Sequence, residues 1–204
     1  MGKTLSKQFF NKDAAELARA LLGKVICHHT GTIIRRARII ETEAYYIHEK
    51  GSHASLGISP SREPLFMEAG TIYMYYSRGG DSLNICAKDE GNAVLIKSGM
   101  AAGINNDTVL AIMQKDNPVK NTDRLRNQER LCSGQTLLCK SLGLRVKDWN
   151  GKTFNRIFYI QDTGYVPGEI LTGKRLGIPP GRDEHLLLRF IDAGCIKYTT
   201  KGRI

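Results

Sequence analysis

The sequence is sparing with several features that usually announce a protein's class. It has no Cys-x-x-Cys pair, a single tryptophan, six prolines and no apolar run near the roughly 18 residues that a membrane-spanning helix needs. The five cysteines (Cys27, Cys86, Cys132, Cys139 and Cys195) are odd in number and scattered, which argues against a disulfide framework and fits a reducing compartment. The five histidines do not stand at zinc-ligand spacings around them, so no structural metal is expected. The opening Met1-Gly2-Lys3-Thr4-Leu5-Ser6 lacks an apolar signal core, and the expectation is an intracellular protein with no membrane partner.

Acid is also in short supply. Thirty Lys and Arg against 20 Asp and Glu leave a net charge of +10, the electrostatic footprint of a polyanion binder. The basic residues are spread along the chain instead of lining one amphipathic helix, which points to nucleic acid in preference to a membrane surface. At 204 residues the chain is long enough to bury a core, and residues 1–204 are expected to form a single domain.

The pattern of apolar residues mixes both secondary-structure periods. Asp13 can cap a helix carrying Ala14, Leu17, Ala18, Leu21 and Leu22 at helical spacing, with Gly23 placed to end it. A strand over 24–28, a turn at Thr30-Gly31-Thr32 and a long strand-like run over 33–46 read as a hairpin. Residues 47–70 lose the apolar period and read as a long polar loop, a kind of segment that often borders a site. Strands are expected over 71–76, 83–87 and 93–97. A helix is expected from Asn106 through Met113, then an exposed polar stretch over 114–130. Ser133 can cap a second helix that Gly143 ends. Arg189-Phe190-Ile191 is a last strand candidate.

Strand residues two apart face the same side, so Glu41, Glu43 and Tyr45 share a face, as do Thr71, Tyr73 and Tyr75. Alone, each group is equally compatible with a solvated acidic strand or an aromatic core. Together they match a family. The run Arg38-Ile39-Ile40-Glu41-Thr42-Glu43-Ala44-Tyr45 is followed by His53 ten residues after Glu43, then by Gly70-Thr71-Ile72-Tyr73-Met74-Tyr75 and Asn84. This order resembles the alkyladenine (3-methyladenine) DNA glycosylases. Phe9-Phe10 and the helix that follows resemble that family's opening.

The resemblance implies an α+β fold, a curved, largely antiparallel sheet flanked by helices, and a monomer acting on double-stranded DNA that contains a damaged purine. It implies that Glu43 is the general base activating a water, and that Tyr45, His53 and Tyr75 sandwich the flipped base. Asn84 would test for an exocyclic amino group. An electron-poor, cationic purine would gain a cation–π contribution of order 1 kcal/mol on those rings. No cofactor is required. Arg78 falls where the family carries a duplex-inserting wedge, and Lys97 where it carries an arginine for DNA phosphate. Ser133 and Gly134 open the helix expected to meet a phosphate with its amides, although Gln135-Thr136-Leu137 departs from the family's pattern. Arg62, Arg124, Arg126 and Arg130 are further phosphate candidates.

The expected function is therefore a monofunctional purine DNA glycosylase that leaves an abasic site. The alternatives are a noncatalytic module binding distorted DNA or structured RNA, and a metal-dependent nuclease using Glu41 and Glu43. A partner held by phosphate neutralisation releases counterions, so duplex affinity should fall steeply and linearly with log salt in a filter-binding titration. A flat salt response would exclude DNA as the partner.

Overall fold

The computed structural model describes residues 2–77, 79–101 and 107–200. Its centre is a nine-stranded sheet in which every strand pairing is antiparallel, with helices against it, as expected of the fold class. The strands are β1 (Lys3–Thr4), β2 (Val25–Thr30), β3 (Ile33–Tyr45), β4 (Ile72–Ser77), β5 (Gly80–Cys86), β6 (Ala93–Ala101), β7 (Phe158–Asp162), β8 (Ile170–Gly173) and β9 (Arg189–Asp192). The main order is β1-β7-β2-β3-β6-β5-β4. Strand β3 is long enough to serve two neighbours on one edge: its first half pairs with β2, and Glu41 to Glu43 pair with β9.

The helices are α1 (Lys7–Phe10), α2 (Ala14–Leu21), α3 (Asp107–Asp116), α4 (Gln135–Leu142) and α5 (Val146–Trp149). Asp13 caps α2 as expected, its carboxylate accepting from the Ala15 and Glu16 amides. The buried stripe Ala14, Leu17, Ala18 and Leu21 lies against the sheet, where the Thr42 hydroxyl donates to the Ala18 carbonyl at 2.9 Å. Gly143 ends α4 in the left-handed conformation that favours glycine.

The strand–helix alternation separates core from site. On β4 to β6, Ile72, Met74, Leu83, Ile85, Val94 and Ile96 join the main core. The intervening Tyr73, Tyr75, Cys86 and Ala93 form a second, smaller cluster with Ala54 and Leu65. On β3 the alternation reverses part-way. Ala37 and Ile39 belong to the main core, and so does Ala44, which has the opposite parity. The β3–β6 register slips twice, between Ile39 and Glu41 and again between Glu41 and Thr42. One residue is gained on β3 at Ile40 and one on β6 at Lys97, so both strands change face at the same level. These bulges turn Glu43 and Tyr45 away from the helices.

Several sequence expectations need adjusting. The expected Ser133 cap is not made: the N-cap of α4 is Gly134, and the Ser133 hydroxyl donates to the Tyr198 carbonyl. The stretch after Met113 is not uniformly exposed. Helix α3 runs to Asp116, and the buried Asn117 amide ties the Leu131 and Leu137 carbonyls to the Ser141 hydroxyl. The 47–70 loop contains two 3-10 turns, Ala54–Leu56 and Glu63–Phe66. Asn106 and Arg78 lie outside the described residues. All five cysteines are buried free thiols, and burial pushes the Cys86 and Cys132 thiols up to about 12.

Close approach of α4 to the sheet depends on glycine. A Cβ at Gly99 would sit 2.9 Å from Leu138 Cδ1 and 3.1 Å from the Arg38 carbonyl oxygen, and one at Gly80 would sit 2.7 Å from Thr136 Cβ. Gly99→Val should therefore overpack the helix–sheet contact and cost about 1–3 kcal/mol. The measurement is a urea midpoint shift at unchanged slope.

Candidate active site

A cavity of about 280 Å³ opens on the side of the sheet opposite α2. Its lining includes Tyr45 from β3, Tyr73 and Tyr75 from β4, Asn84 from β5, and Leu95 and Lys97 from β6. The 47–70 loop adds His53, the start of α4 adds Gln135, and the segment after β8 adds Leu176 and Arg182. Period-two alternation supplies the strand residues, and three separate connections close the walls.

Glu43 is not itself in the lining: its side chain is fully buried behind the lining residues Tyr45, Lys97 and Leu176. Burying a carboxylate is costly unless donors surround it. The Tyr45 hydroxyl donates to Oε2 at 2.8 Å, the Leu176 amide to Oε1 at 3.0 Å, and Lys97 Nζ lies 3.3 Å from Oε1. A carboxylate offers about four lone-pair sites. Three are used by these contacts, two of them on Oε1, which leaves Oε2 with capacity for one more donor such as a water. Burial and the adjacent Glu43 carboxylate both raise Tyr45 well above the ordinary phenol range, so its hydroxyl stays a donor.

The aromatic residues interlock. His53 Nδ1 lies 2.8 Å from the Tyr73 hydroxyl, and the His53 and Tyr75 rings meet edge to face with centroids 4.5 Å apart. Gln135 donates from Nε2 to the Ser82 hydroxyl at 2.8 Å and to the Tyr75 hydroxyl at 3.3 Å. Asn84 Nδ2 donates to the Tyr73 carbonyl at 3.2 Å. Every base-binding residue expected from the sequence thus borders one cavity.

The expected DNA-contacting residues sit differently. Lys97 is nearly buried and borders the cavity beside Glu43, so its charge reaches a ligand from inside the site. Gly134 donates its amide to the Ser98 hydroxyl at 3.0 Å, and Ser133 is held by the Tyr198 carbonyl. The Arg62 guanidinium is bonded to the Leu56 and Gly57 carbonyls, Arg126 to those of Asn117 and Pro118, and Arg130 to that of Lys197, so each braces a loop.

Glu41 has a separate fate. It forms a buried ion pair with Arg189 at 2.7 Å, and accepts from the Ser98 hydroxyl and the Thr200 amide. With its oxygens so engaged it is a structural anchor, which removes the two-carboxylate metal site. No group of three or more potential metal ligands occurs among the described residues.

Sequence reasoning missed the segment after β8. Leu176 contributes a backbone amide, which no side-chain pattern reports. Arg175, one residue earlier, is fully buried and packs its guanidinium on the Tyr45 ring. The only available signal was a run of Gly173, Gly177 and Gly181 with Pro179 and Pro180, typical of a chain held in a defined irregular path.

Comparison with known proteins gives the family. Residues 8–196 match the family model described as methylpurine-DNA glycosylase. The chain belongs to the methylpurine-DNA glycosylase family. A relative from Pseudomonas syringae pv. syringae, provisionally named 3-methyladenine DNA glycosylase, is 52% identical over 99% of this chain and 92% of its own length. One of the same name from Pseudomonas aeruginosa PAO1 is 51% identical over 98% of this chain and 84% of its own. A more distant one from Clostridium botulinum is 33% identical over 85% of this chain and 87% of its own. Membership in the methylpurine-DNA glycosylases gives the chain its general class, a DNA repair enzyme acting on the N-glycosyl bonds of DNA. No helix among the described residues is long and apolar enough to cross a membrane.

Burial, and then the nearby Arg62 and Arg182 charges, lower the His53 imidazole below its ordinary value. Above that ordinary value, near 6.5, the ring is neutral folded or unfolded and its ionisation contributes nothing. As pH falls below it, the unfolded chain takes up a proton that the folded pocket resists, so stability is lost on acidification. An NMR titration of the His53 ring should give a midpoint below about 6.5, and Arg62→Gln should raise it.

Proposed function

We propose that this methylpurine-DNA glycosylase is a monofunctional, single-domain, monomeric enzyme of the cell interior. Its substrate is double-stranded DNA containing an alkylated purine, with deaminated and etheno purines as further substrates. The damaged nucleotide is flipped from the duplex at a cost of a few kcal/mol, least where pairing is already weakened. Tyr45, His53 and Tyr75 take the base between them, each stacked ring contributing about 1–3 kcal/mol. Asn84 tests the base edge.

The observation that carries the reading is the buried Glu43 carboxylate, held by Tyr45, Lys97 and Leu176, three residues that line an aromatic cavity. Glu43 Oε2 orients a water toward C1′. A C1′–O bond forms as the C1′–N bond breaks, the bonding electrons leave with the purine, and the water proton passes to Glu43. Positive charge developing on the sugar is stabilised by the same carboxylate. A cationic purine departs neutral, whereas a neutral one must acquire a proton. The product is an abasic site, the start of base excision repair, and the reaction consumes only water. Lys97 keeps Glu43 in place and offers its remaining ammonium protons to the incoming nucleotide. Arg78 is assigned to the strand-inserting loop, and the Ser133-Gly134 turn with the start of α4 to the DNA-facing rim.

Duplexes carrying 3-methyladenine, hypoxanthine or ethenoadenine, incubated with enzyme and then cleaved with alkali, test this directly. Wild type should yield abasic strand in the presence of a chelator. Glu43→Gln should slow the single-turnover rate by roughly 10²- to 10⁴-fold while retaining duplex binding. Binding without base release by wild type would mean a noncatalytic module, and full activity of Glu43→Gln would remove Glu43 from the mechanism.

A further inference from the structure

We propose that Arg175, stacked over the Tyr45 ring and outside the cavity lining, sets the charge preference of the base slot and tilts the enzyme toward neutral damaged purines over cationic ones. The inference rests on the reading that the purine stacks on Tyr45. It goes against the expectation that an aromatic slot favours a cation.

Tyr45 and Leu176 border the cavity, whereas Arg175 does not. Its guanidinium carbon lies 4.5 Å from the centroid of the Tyr45 ring, so one face of that ring is already occupied by a cation. The side chain is held without freedom to withdraw. Nη1 donates to the Ala44 carbonyl at 2.8 Å and pairs with the buried Glu49 carboxylate. Nε and Nη2 have no hydrogen-bond partner among the described residues. The Tyr45 π face is therefore a principal partner of that end of the guanidinium.

An aromatic ring presents negative potential on both faces, and a cation on one face draws that density toward itself. A second cation stacked opposite finds a depleted face. It also meets like charge on the order of 8 Å away, counting a stacking contact of about 3.5 Å, within an interior that screens poorly. Glu49 offsets part of this charge. The groups bordering the cavity do not restore the balance, because Lys97 and Arg182 of its lining are both cationic and Glu43, buried behind them, supplies one carboxylate. A neutral purine keeps its dispersion and stacking contacts and meets no such repulsion. Arg175 thus acts through Tyr45 as a specificity-setting residue without touching the base.

The test compares single-turnover excision of 7-methylguanine, cationic in DNA, with that of ethenoadenine, which is neutral. Arg175→Met combined with Glu49→Gln removes both buried charges, so neither is left alone. The cationic-to-neutral rate ratio should rise about three- to tenfold over wild type, whatever happens to the absolute rates. Loss of both activities by one common factor, or a fall in the ratio, overturns the proposal, because a purely structural role moves both lesions together. A second measurement needs no buried substitution. Free ethenoadenine should compete against wild-type enzyme at least about threefold more strongly than the free 7,9-dimethylguaninium cation, and the reverse order overturns the proposal. Tyr45→Ala separates the two readings. If it leaves excision and competition untouched, the stacking reading falls and takes this inference with it. If it abolishes them while the double variant keeps the wild-type ratio, only the role of Arg175 is lost.

Discussion

A carboxylate taken wholly out of water must be met by donors, and much of this molecule is arranged around meeting that requirement for Glu43. The donors come from three distant stretches of chain. Tyr45 is on the same strand, Lys97 on the neighbouring one, and the Leu176 amide more than 130 residues further on. Holding them together fixes the β3–β6 register, the path after β8, and the position of an aromatic ring beside the buried carboxylate. The cavity wall and the support for Glu43 are then the same residues.

The paired bulges at Ile40 and Lys97 make that arrangement compatible with a core. Before them, the odd-numbered residues of β3 face the helices; after them, the even-numbered ones do. Ile39 and Ile40 are both fully buried even though neighbouring strand positions normally face opposite sides. Glu41, placed at the irregularity itself, is secured by Arg189, Ser98 and the Thr200 amide. A second buried ion pair therefore stands close to the first with different neighbours: one carboxylate anchors the bend in the sheet, the other is bonded to residues that line the cavity.

Much of this could be read from the sequence, and what could not has definable causes. Helix α2 announced itself through Asp13 and its apolar stripe, and the strands of the sheet centre through their period of two. Of the residues that carried the resemblance, Tyr45, His53, Tyr75 and Asn84 border one cavity, and Glu43 lies buried behind its lining. Strands β7 and β8 escaped individual notice because they are short and half-buried, with no sustained alternation. The bulges were invisible, since two adjacent isoleucines fit a straight strand as well as a kinked one. Ser133 looked like a cap because a hydroxyl before an apolar run usually is one, but the Tyr198 carbonyl competes for it. Leu176 works through its backbone, and backbone roles leave no composition behind.

The Leu176 contact also bears on how the protein comes into being. Ribosomes deliver chain at about 5–20 residues per second, so Glu43, Tyr45 and His53 emerge many seconds before Leu176, and Thr200 follows later still. Until then the sheet centre can form from neighbouring hairpins, but both buried carboxylates lack donors that only the far end supplies. Pairings of such long sequence separation form late and slowly. The surroundings of Glu43 are thus among the last parts of the fold to be completed, and a chain still being synthesised carries the aromatic slot without the full set of donors to that carboxylate.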